Sequence, residues 1–275
     1  GESTHLLQVG LDTTAKKDAA EGAFLHRPSV NDARTAGTAR PEGQAAGRRG
    51  AHGCFLEVLL AEATSKALQF DAQGVANIVW SVAILKLKHV PLLAVSGQQA
   101  VMKLQGGECA GQSISNILWA FATVSFKPKP LLAMLTTDDW RKLNLSAQGV
   151  ANLLWALAVL GSSNVPICES LTTQALGMVP ELSPQNLANI AWACATLVFQ
   201  HQPIIQAIAN AAVLCTDEFA AQGLANLAWS LAALQFHNMP FMSTIASRAT
   251  CNMPALDNQN LVNILWSFAR VAFVQ

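Results

Sequence analysis

The motif Gln-x-x-x-Asn-x-x-Trp occurs six times in this chain of 275 residues, at steps of 36 to 39 residues. Its glutamines are Gln73, Gln112, Gln148, Gln185, Gln222 and Gln259. Its asparagines are Asn77, Asn116, Asn152, Asn189, Asn226 and Asn263, and its tryptophans are Trp80, Trp119, Trp155, Trp192, Trp229 and Trp266. Periods of this length without strand-like punctuation are typical of stacked helical pairs. The sequence therefore predicts an all-α fold, an α-solenoid built from helical hairpins of about 37 residues.

The residues around each motif predict where the helices begin. Four of the six copies have a good N-cap residue two positions before the Gln, namely Asp71, Ser146, Ser183 and Asp257. The other two copies have Ala110 and Ala220 there. We therefore expect a first helix of each pair, helix A, which runs from about 72 to 86 in the first full repeat. A proline eleven residues after each of the first five tryptophans is expected to open helix B after a short corner.

This register predicts the domain organisation. The solenoid should comprise a half repeat at 54–69, repeats starting near residues 71, 110, 146, 183 and 220, and a last half repeat at 257–275. The composition of residues 1–53 predicts a disordered or poorly ordered leader that is only weakly transit-like, since it has six acidic residues beside seven basic ones.

The last helix is expected to leave apolar residues partly uncovered, since solenoids normally end in a polar capping unit. These residues are Leu261, Ile264, Leu265, Phe268 and Val271. Either the chain is a fragment that lacks a C-terminal domain, or a protein partner covers this helix.

Composition narrows the function classes. The chain is 52% hydrophobic, but Gln and Asn interrupt every apolar run before the roughly 18 residues of a spanning helix, so no membrane insertion is expected. The six cysteines form no CxxC pair, and the six histidines have no carboxylate or Cys companion at catalytic or metal-binding spacing. No phosphate-cradling Gly-rich loop is present. We expect no catalytic residues, no metal, no cofactor and no small-molecule substrate.

On a helical wheel, the Gln and Asn of each motif lie on one narrow polar face of an otherwise apolar helix A. This face is expected to line the groove of the solenoid. Its amides could contact a ligand, or they could hydrogen-bond to neighbouring repeats and fix the stacking register. The tryptophans could stack on bases, although packing between successive A helices is the favoured interpretation.

Selectivity would have to come from positions that vary between repeats, because residues identical in all six copies cannot discriminate between ligands. The candidates lie four residues after each Trp. They are Ile84, Thr123, Val159, Thr196, Ala233 and Arg270.

The segment at 222–234, Gln-Gly-Leu-Ala-Asn-Leu-Ala-Trp-Ser-Leu-Ala-Ala-Leu, resembles repeats of the octotricopeptide and heptatricopeptide families. These are related to the helical-repeat regions of RAP-domain and FAST-kinase-like proteins, and the resemblance covers 54–275 without a RAP domain. It implies a right-handed superhelix that binds single-stranded RNA in a mitochondrion or chloroplast. The implied roles are RNA processing, RNA stability, translation or ribosome assembly.

Charge leaves two function hypotheses open. Residues 54–275 contain ten Lys/Arg and eleven Asp/Glu, which is not the basic balance of a typical nucleic-acid-binding protein. A small basic ridge at the first two corners could nonetheless hold phosphates. It consists of Lys86, Lys88, Lys127 and Lys129. The first hypothesis is an RNA-binding array with roughly one nucleotide per repeat. The alternative is a protein-interaction scaffold or structural subunit of an organellar assembly.

Overall fold

A computed structural model describes residues 45–135, 143–251 and 253–271, with side chains described from residue 55 onward. Within these ranges the secondary structure is helical, with twelve α-helices and four short 3₁₀ turns. The helices are α1 Ala45–Ser65, α2 Ala72–Ile84, α3 Val90–Gln105, α4 Gly111–Thr123, α5 Lys129–Met134, α6 Ala147–Val159, α7 Val165–Gly177, α8 Pro184–Thr196, α9 Gln202–Leu214, α10 Ala221–Ala233, α11 Met239–Cys251 and α12 Asn258–Arg270.

The helices form two layers. The even-numbered helices, α2 to α12, carry the six motif copies and are the A helices, and the odd-numbered ones are the B helices. Each A helix packs along the next A helix in sequence, and each B helix packs chiefly against neighbouring B helices and its own A helix. This series of stacked hairpins confirms the predicted α-solenoid. Contacts between A helices are more extensive than those between B helices, so the A layer is the more closely packed of the two.

The predicted N-caps of the A helices are confirmed. The Asp71 carboxylate accepts a hydrogen bond of 2.7 Å from the amide of Gly74, and Ser146 Oγ accepts one of 3.1 Å from the amide of Gly149. Ser183 and Asp257 cap their helices in the same way, whereas Ala110 and Ala220 provide no side-chain cap. Each capping oxygen pairs one of the amides that the first helical turn leaves without a partner.

The A helices end earlier than the sequence predicted. Helix α2 ends at Ile84, not near residue 86, because Lys86 adopts a left-handed conformation with φ of 53°. The amide of Leu87 then donates to the carbonyl of Val82 at 3.0 Å, which closes a Schellman motif. The same position is left-handed in all five A-to-B corners. These residues are Lys86, Ser125, Gly161, Val198 and Gln235.

The recurring proline marks the start of the five B helices after α1, as predicted, and lies at the second residue of each. The residue just before four of these helices provides the cap. Asn164 Oδ1 accepts from the amide of Ile167 at 3.2 Å, and Asn238 Oδ1 accepts from that of Phe241 at 2.9 Å. His89 and His201 use the ring nitrogen Nδ1 in the same way. Histidine in this role was not foreseen from the sequence.

Four of the motif tryptophans pack in two pairs between successive A helices. Trp155 and Trp192 are buried with ring centroids 6.5 Å apart, and Trp229 and Trp266 are half-buried at 6.3 Å. Trp119 is also buried. The first ring, Trp80, is exposed. Core packing is therefore the role of the three buried tryptophans, Trp119, Trp155 and Trp192.

The two ends of the array differ in part from expectation. Helix α1 begins at Ala45, inside the predicted leader 1–53, while residues 1–44 lie outside the described part of the chain. In α12, Ile264 and Val271 are buried rather than partly uncovered, because both pack into the hydrophobic core. Leu265 is 66% exposed, as expected for an uncovered residue. None of the helices within the described ranges combines the length and apolar character that crossing a bilayer requires.

Candidate nucleic-acid interface

In the interior A helices α4 and α6, one line of side chains reaches solvent. In α4, Gln112 is exposed and Asn116 and Thr123 are half-buried, while every other residue of the helix is buried. Helix α6 repeats this pattern with Gln148, Asn152 and Val159. The accessible face of these helices therefore consists of the predicted Gln and Asn face together with the variable position in the last turn. We call this line the stripe: the Gln and the Asn of each motif and the residue four positions after its Trp.

Accessibility within the stripe changes along the array. The first four motif glutamines are exposed, and Gln222 and Gln259 are half-buried. The asparagines pass from exposed Asn77 through two half-buried residues to three that are about 95% buried. These three are Asn189, Asn226 and Asn263. A ligand that follows the stripe would contact Asn side chains readily in the first repeats and only their edges in the last ones.

The hydrogen bonds of the Asn side chains distinguish between the two interpretations of the stripe. At the ends of the array, the Asn accepts from the Gln of its own helix, at 3.3 Å for Gln73 to Asn77 and 3.0 Å for Gln259 to Asn263. The four interior Asn carboxamides make no hydrogen bond within the part of the chain that the structure describes. The asparagines therefore do not form a ladder that fixes the register, and apolar packing between A helices holds it instead.

The six candidate selectivity residues all lie at the accessible end of the stripe. Ile84 and Arg270 are exposed, and the four between them are half-buried. Their chemistry differs from repeat to repeat, with two threonines among an aliphatic series and an arginine at the last position. Thr123 Oγ1 donates to the carbonyl of Trp119 at 2.9 Å. The position is thus open to a ligand and variable, which are the two properties that selectivity requires.

The four lysines of the predicted basic ridge are exposed at the corners that follow α2 and α4. Lys88 Nζ donates to the carbonyl of Ser125 at 3.0 Å and so joins one corner to the next. Lys86, Lys127 and Lys129 have no ion-pair partner among the described residues. The structure thus separates one lysine that holds the corners together from three whose charges are available to a ligand.

The charges segregate between the two edges of the array. The edge formed by the A-to-B corners, here called the AB edge, comprises residues 85–89, 124–128, 160–164, 197–201 and 234–238. These corners contain three of the ridge lysines, three histidines and no Asp or Glu. The near-zero charge of the whole array hides this local excess, which would attract phosphates to the AB edge.

The opposite edge, formed by the B-to-A corners, is acidic over the described residues. Its described acidic residues are Asp71, Glu108, Glu181, Asp217, Glu218 and Asp257. The described basic residues near it are ion-paired. Lys103 contacts Glu108 at 2.7 Å, and Arg248 contacts Asp217 at 3.1 Å. An anionic polymer would therefore bind along the AB side of the stripe.

The described cysteines provide no reactive thiolate in the interior. Burial raises the pKa of the Cys109 thiol to about 11 and that of Cys194 to about 12. Both therefore stay protonated at neutral pH, which removes the nucleophilic form. Within the described ranges, His, Cys, Asp and Glu side chains form no group of three or more that could hold a metal ion.

Repeated helical hairpins with a uniform amide stripe and one basic edge define an α-solenoid repeat protein with an elongated candidate binding surface. The chain belongs to the RNA-editing substrate-binding complex 6 protein family, whose model matches residues 102–275. That range includes the last five motif copies. No curated protein matches the chain.

Proposed function

We propose that this protein is a non-catalytic, single-stranded RNA-binding subunit of an RNA-editing substrate-binding complex. The family name supports the connection with RNA editing. The carboxamides of Asn116 and Asn152, which are half-buried and make no hydrogen bond among the described residues, support direct contact with a ligand, and they are the observation on which this proposal depends most. We further propose an organellar location, with the mitochondrion as the first compartment to test, since the family match gives no support for the chloroplast.

In this proposal the RNA follows the stripe across successive A helices. Phosphates lie near Lys86 and Lys127 on the AB edge and near Lys129 beside it, and bases lie against the Gln and Asn side chains. Primary amides provide both donors and acceptors, so they can pair with the edge of any base. Because the Gln and Asn are the same in every repeat, they contribute affinity, and the position four residues after the Trp contributes preference.

Roughly one nucleotide per repeat is expected, as in other helical-repeat proteins that bind one base with each repeat. Membership of the octotricopeptide or heptatricopeptide families remains a prediction, and so do roles in RNA processing, RNA stability, translation or ribosome assembly.

Retention of RNA by the purified chain tests this proposal. The chain is incubated with a random single-stranded RNA pool at low salt, and serum albumin is the control. We expect retention well above albumin and competition by unlabelled single-stranded RNA. Retention no greater than that of albumin would contradict direct RNA binding.

A protein-binding role is the second candidate, and the outer face of α12 favours it. Val262 and Leu265 are 55% and 66% exposed, whereas the equivalent residues of the other A helices, such as Ser115 and Leu118, are buried. This apolar face fits a protein partner that covers the C-terminal helix. In organelle extract, Leu265→Glu should release co-purifying proteins and leave RNA retention unchanged. Unchanged co-purification would contradict this role for α12.

A further inference from the structure

Helix α8 places three polar groups on one side with none of their hydrogen-bonding capacity used within the described chain. Trp192 Nε1 and Thr196 Oγ1 are buried without a partner. The carboxamide of Asn189 also makes no hydrogen bond, although this residue is only 5% exposed. Spacings of three and four residues place the three side chains next to one another on the helix surface. All three belong to, or border on, the stripe that carries the proposed RNA contacts.

Such a concentration of unpaired polar groups requires a physical reason. A buried donor or acceptor without a partner destabilises the fold, and native structures contain few of them. The ring of Trp192 packs against that of Trp155 at 6.5 Å, which fixes the position of its N–H group. The orientation of this N–H group is therefore set by packing before any ligand arrives.

A comparison with α4 shows that the Thr196 hydroxyl is in an unusual state. Thr123 occupies the same register, and its Oγ1 donates to the carbonyl of Trp119 at 2.9 Å. In helices, threonine has two common χ1 rotamers because its hydroxyl can bond back to the preceding turn. Thr196 makes no such bond. The same residue type thus has a used hydroxyl in one repeat and an unused hydroxyl in the other.

We propose that Asn189, Trp192 and Thr196 form a nucleobase-reading site within the stripe, an inference that rests on the proposed RNA-binding function. The indole N–H can only donate, whereas the carboxamide and the hydroxyl can donate or accept. The site therefore takes a base edge that presents at least one acceptor, a carbonyl oxygen or ring nitrogen.

Discrimination between bases follows from the burial of the polar groups of Asn189, Trp192 and Thr196. A base with the wrong pattern of donors and acceptors leaves them unpaired in a closed site, which is a strong basis for rejection. Because Thr196 Oγ1 and Trp192 Nε1 are closed to solvent in the free protein, base entry includes a change of the Thr196 rotamer.

Thr196→Val and its control Thr172→Val test this site. Both changes replace a hydroxyl with a methyl group of similar size, and Thr172 lies on the B helix α7, outside the stripe. Binding of four homopolymeric single-stranded RNAs is measured by fluorescence anisotropy, together with the Tm of each protein. We expect the wild type to prefer one homopolymer. Thr196→Val should weaken binding to that RNA by about tenfold and remove the preference for it over the other three. Its Tm should be equal to that of the wild type or higher.

Thr172→Val is expected to show the opposite pattern, with a lower Tm and unchanged RNA affinity, because it loses only internal hydrogen bonds such as that of 2.7 Å from Thr172 Oγ1 to the carbonyl of Cys168. Trp192→Phe, which removes the indole N–H and keeps an aromatic ring, should reproduce the affinity loss of Thr196→Val. This second variant separates a base contact from any local effect of the threonine change.

The outcomes separate this inference from the proposed function. If Thr196→Val binds all four RNAs as the wild type does, the base-reading site is contradicted and RNA binding by the stripe stands. Equal losses of RNA affinity in Thr196→Val and Thr172→Val would also contradict this site. If the wild type binds none of the RNAs, both the site and the proposed function fail.

Discussion

The Nζ atom of Lys88 donates a 3.0 Å hydrogen bond to the carbonyl oxygen of Ser125, 37 residues further along the chain. Ser125 is the left-handed residue of the next corner, with φ of 52°. One side chain thereby connects the same point of two successive repeats. This bond gives Lys88 a structural role that the neighbouring ridge lysines lack.

Lys88→Met and Lys127→Met should therefore have opposite effects. Lys88→Met removes the bond between corners and should lower the Tm by about 1–2 °C with a small effect on RNA affinity. Lys127→Met removes an unpaired charge and should weaken RNA binding with no change in Tm. Thermal unfolding and RNA titration of both variants measure this difference. Equal effects of the two changes on Tm would contradict the structural role of Lys88.

The corner residue Val198 offers a route to a more stable protein. It has φ of 55° and is 79% exposed, so it has the strain of a β-branched residue in the left-handed region and little burial to lose. Val198→Gly should raise the free energy of unfolding by about 1 kcal/mol.

The reverse change at the equivalent position is the control. Gly161 has φ of 61°, and Gly161→Val should destabilise the protein because it introduces the strain that Val198 has. Urea denaturation of both variants measures the two effects. A loss of stability in Val198→Gly would contradict this account of the corner.

Gly111, the first residue of α4, is expected to tolerate no side chain. A Cβ atom there would overlap the carbonyl group of Asn144 in the following repeat, and this neighbour is backbone. Gly111→Ala should therefore cost about 1–3 kcal/mol of stability. Gly177→Ala is the matched control, because Gly177 ends α7 with open space around its Cα. The control should be neutral or slightly stabilising. Equal stabilities of the two variants in urea would show that the close approach is absent.

The cysteines should differ sharply in reactivity towards iodoacetamide at pH 8. Cys251 is exposed, whereas Cys109 and Cys194 are buried with their pKa raised to about 11 and about 12. Only a thiolate reacts, and at pH 8 the two buried thiols stay protonated. Mass spectrometry of the native protein should show Cys251 modified first and the other two modified only after unfolding. Rapid native modification of Cys194 would contradict the packing of α8.

RNA binding should depend moderately on salt. The three ridge lysines without an ion pair, Lys86, Lys127 and Lys129, correspond to a slope of about −2 for the logarithm of the binding constant against that of the salt concentration. Affinity should then fall by about 20-fold between 50 and 200 mM salt. Titrations at several salt concentrations measure the slope, and Lys127→Met should reduce its magnitude. A slope near zero would mean that the RNA does not contact these lysines.

Sequence periodicity was sufficient to predict the architecture of the array. The constant spacing of Gln, Asn and Trp fixes which residues share a helix face, and the residues before each motif fix where the A helices begin. The accessible line formed by Gln112, Asn116 and Thr123 in α4 follows directly from this regularity. Its role in RNA binding stays a prediction.

Other features are visible only in the three-dimensional structure, because identical residues occupy different surroundings. Asn77 is exposed and Asn226 is buried although both occupy the same motif position, since their surroundings depend on how each A helix packs against its neighbours. The left-handed corners were missed because only one of the five, Gly161, is a glycine. The available sequence signal was an apolar residue directly after most of these left-handed positions, since hydrophobic contacts accompany Schellman motifs.

The amide stripe of the A helices is expected to bind single-stranded RNA, and removing its amides tests this directly. Helix α9 provides a matched control, because Gln206 Nε2 donates to Asn210 Oδ1 at 2.9 Å on an exposed B helix. The affinity of the double variant Gln148→Ala, Asn152→Ala is compared with that of Gln206→Ala, Asn210→Ala.

The two double variants remove the same chemical groups from the two layers of the array. We predict at least a tenfold weaker affinity for single-stranded RNA when the stripe pair on α6 is changed, and wild-type affinity when the pair on α9 is changed. Equal affinities of the two variants would contradict RNA binding by the amide stripe.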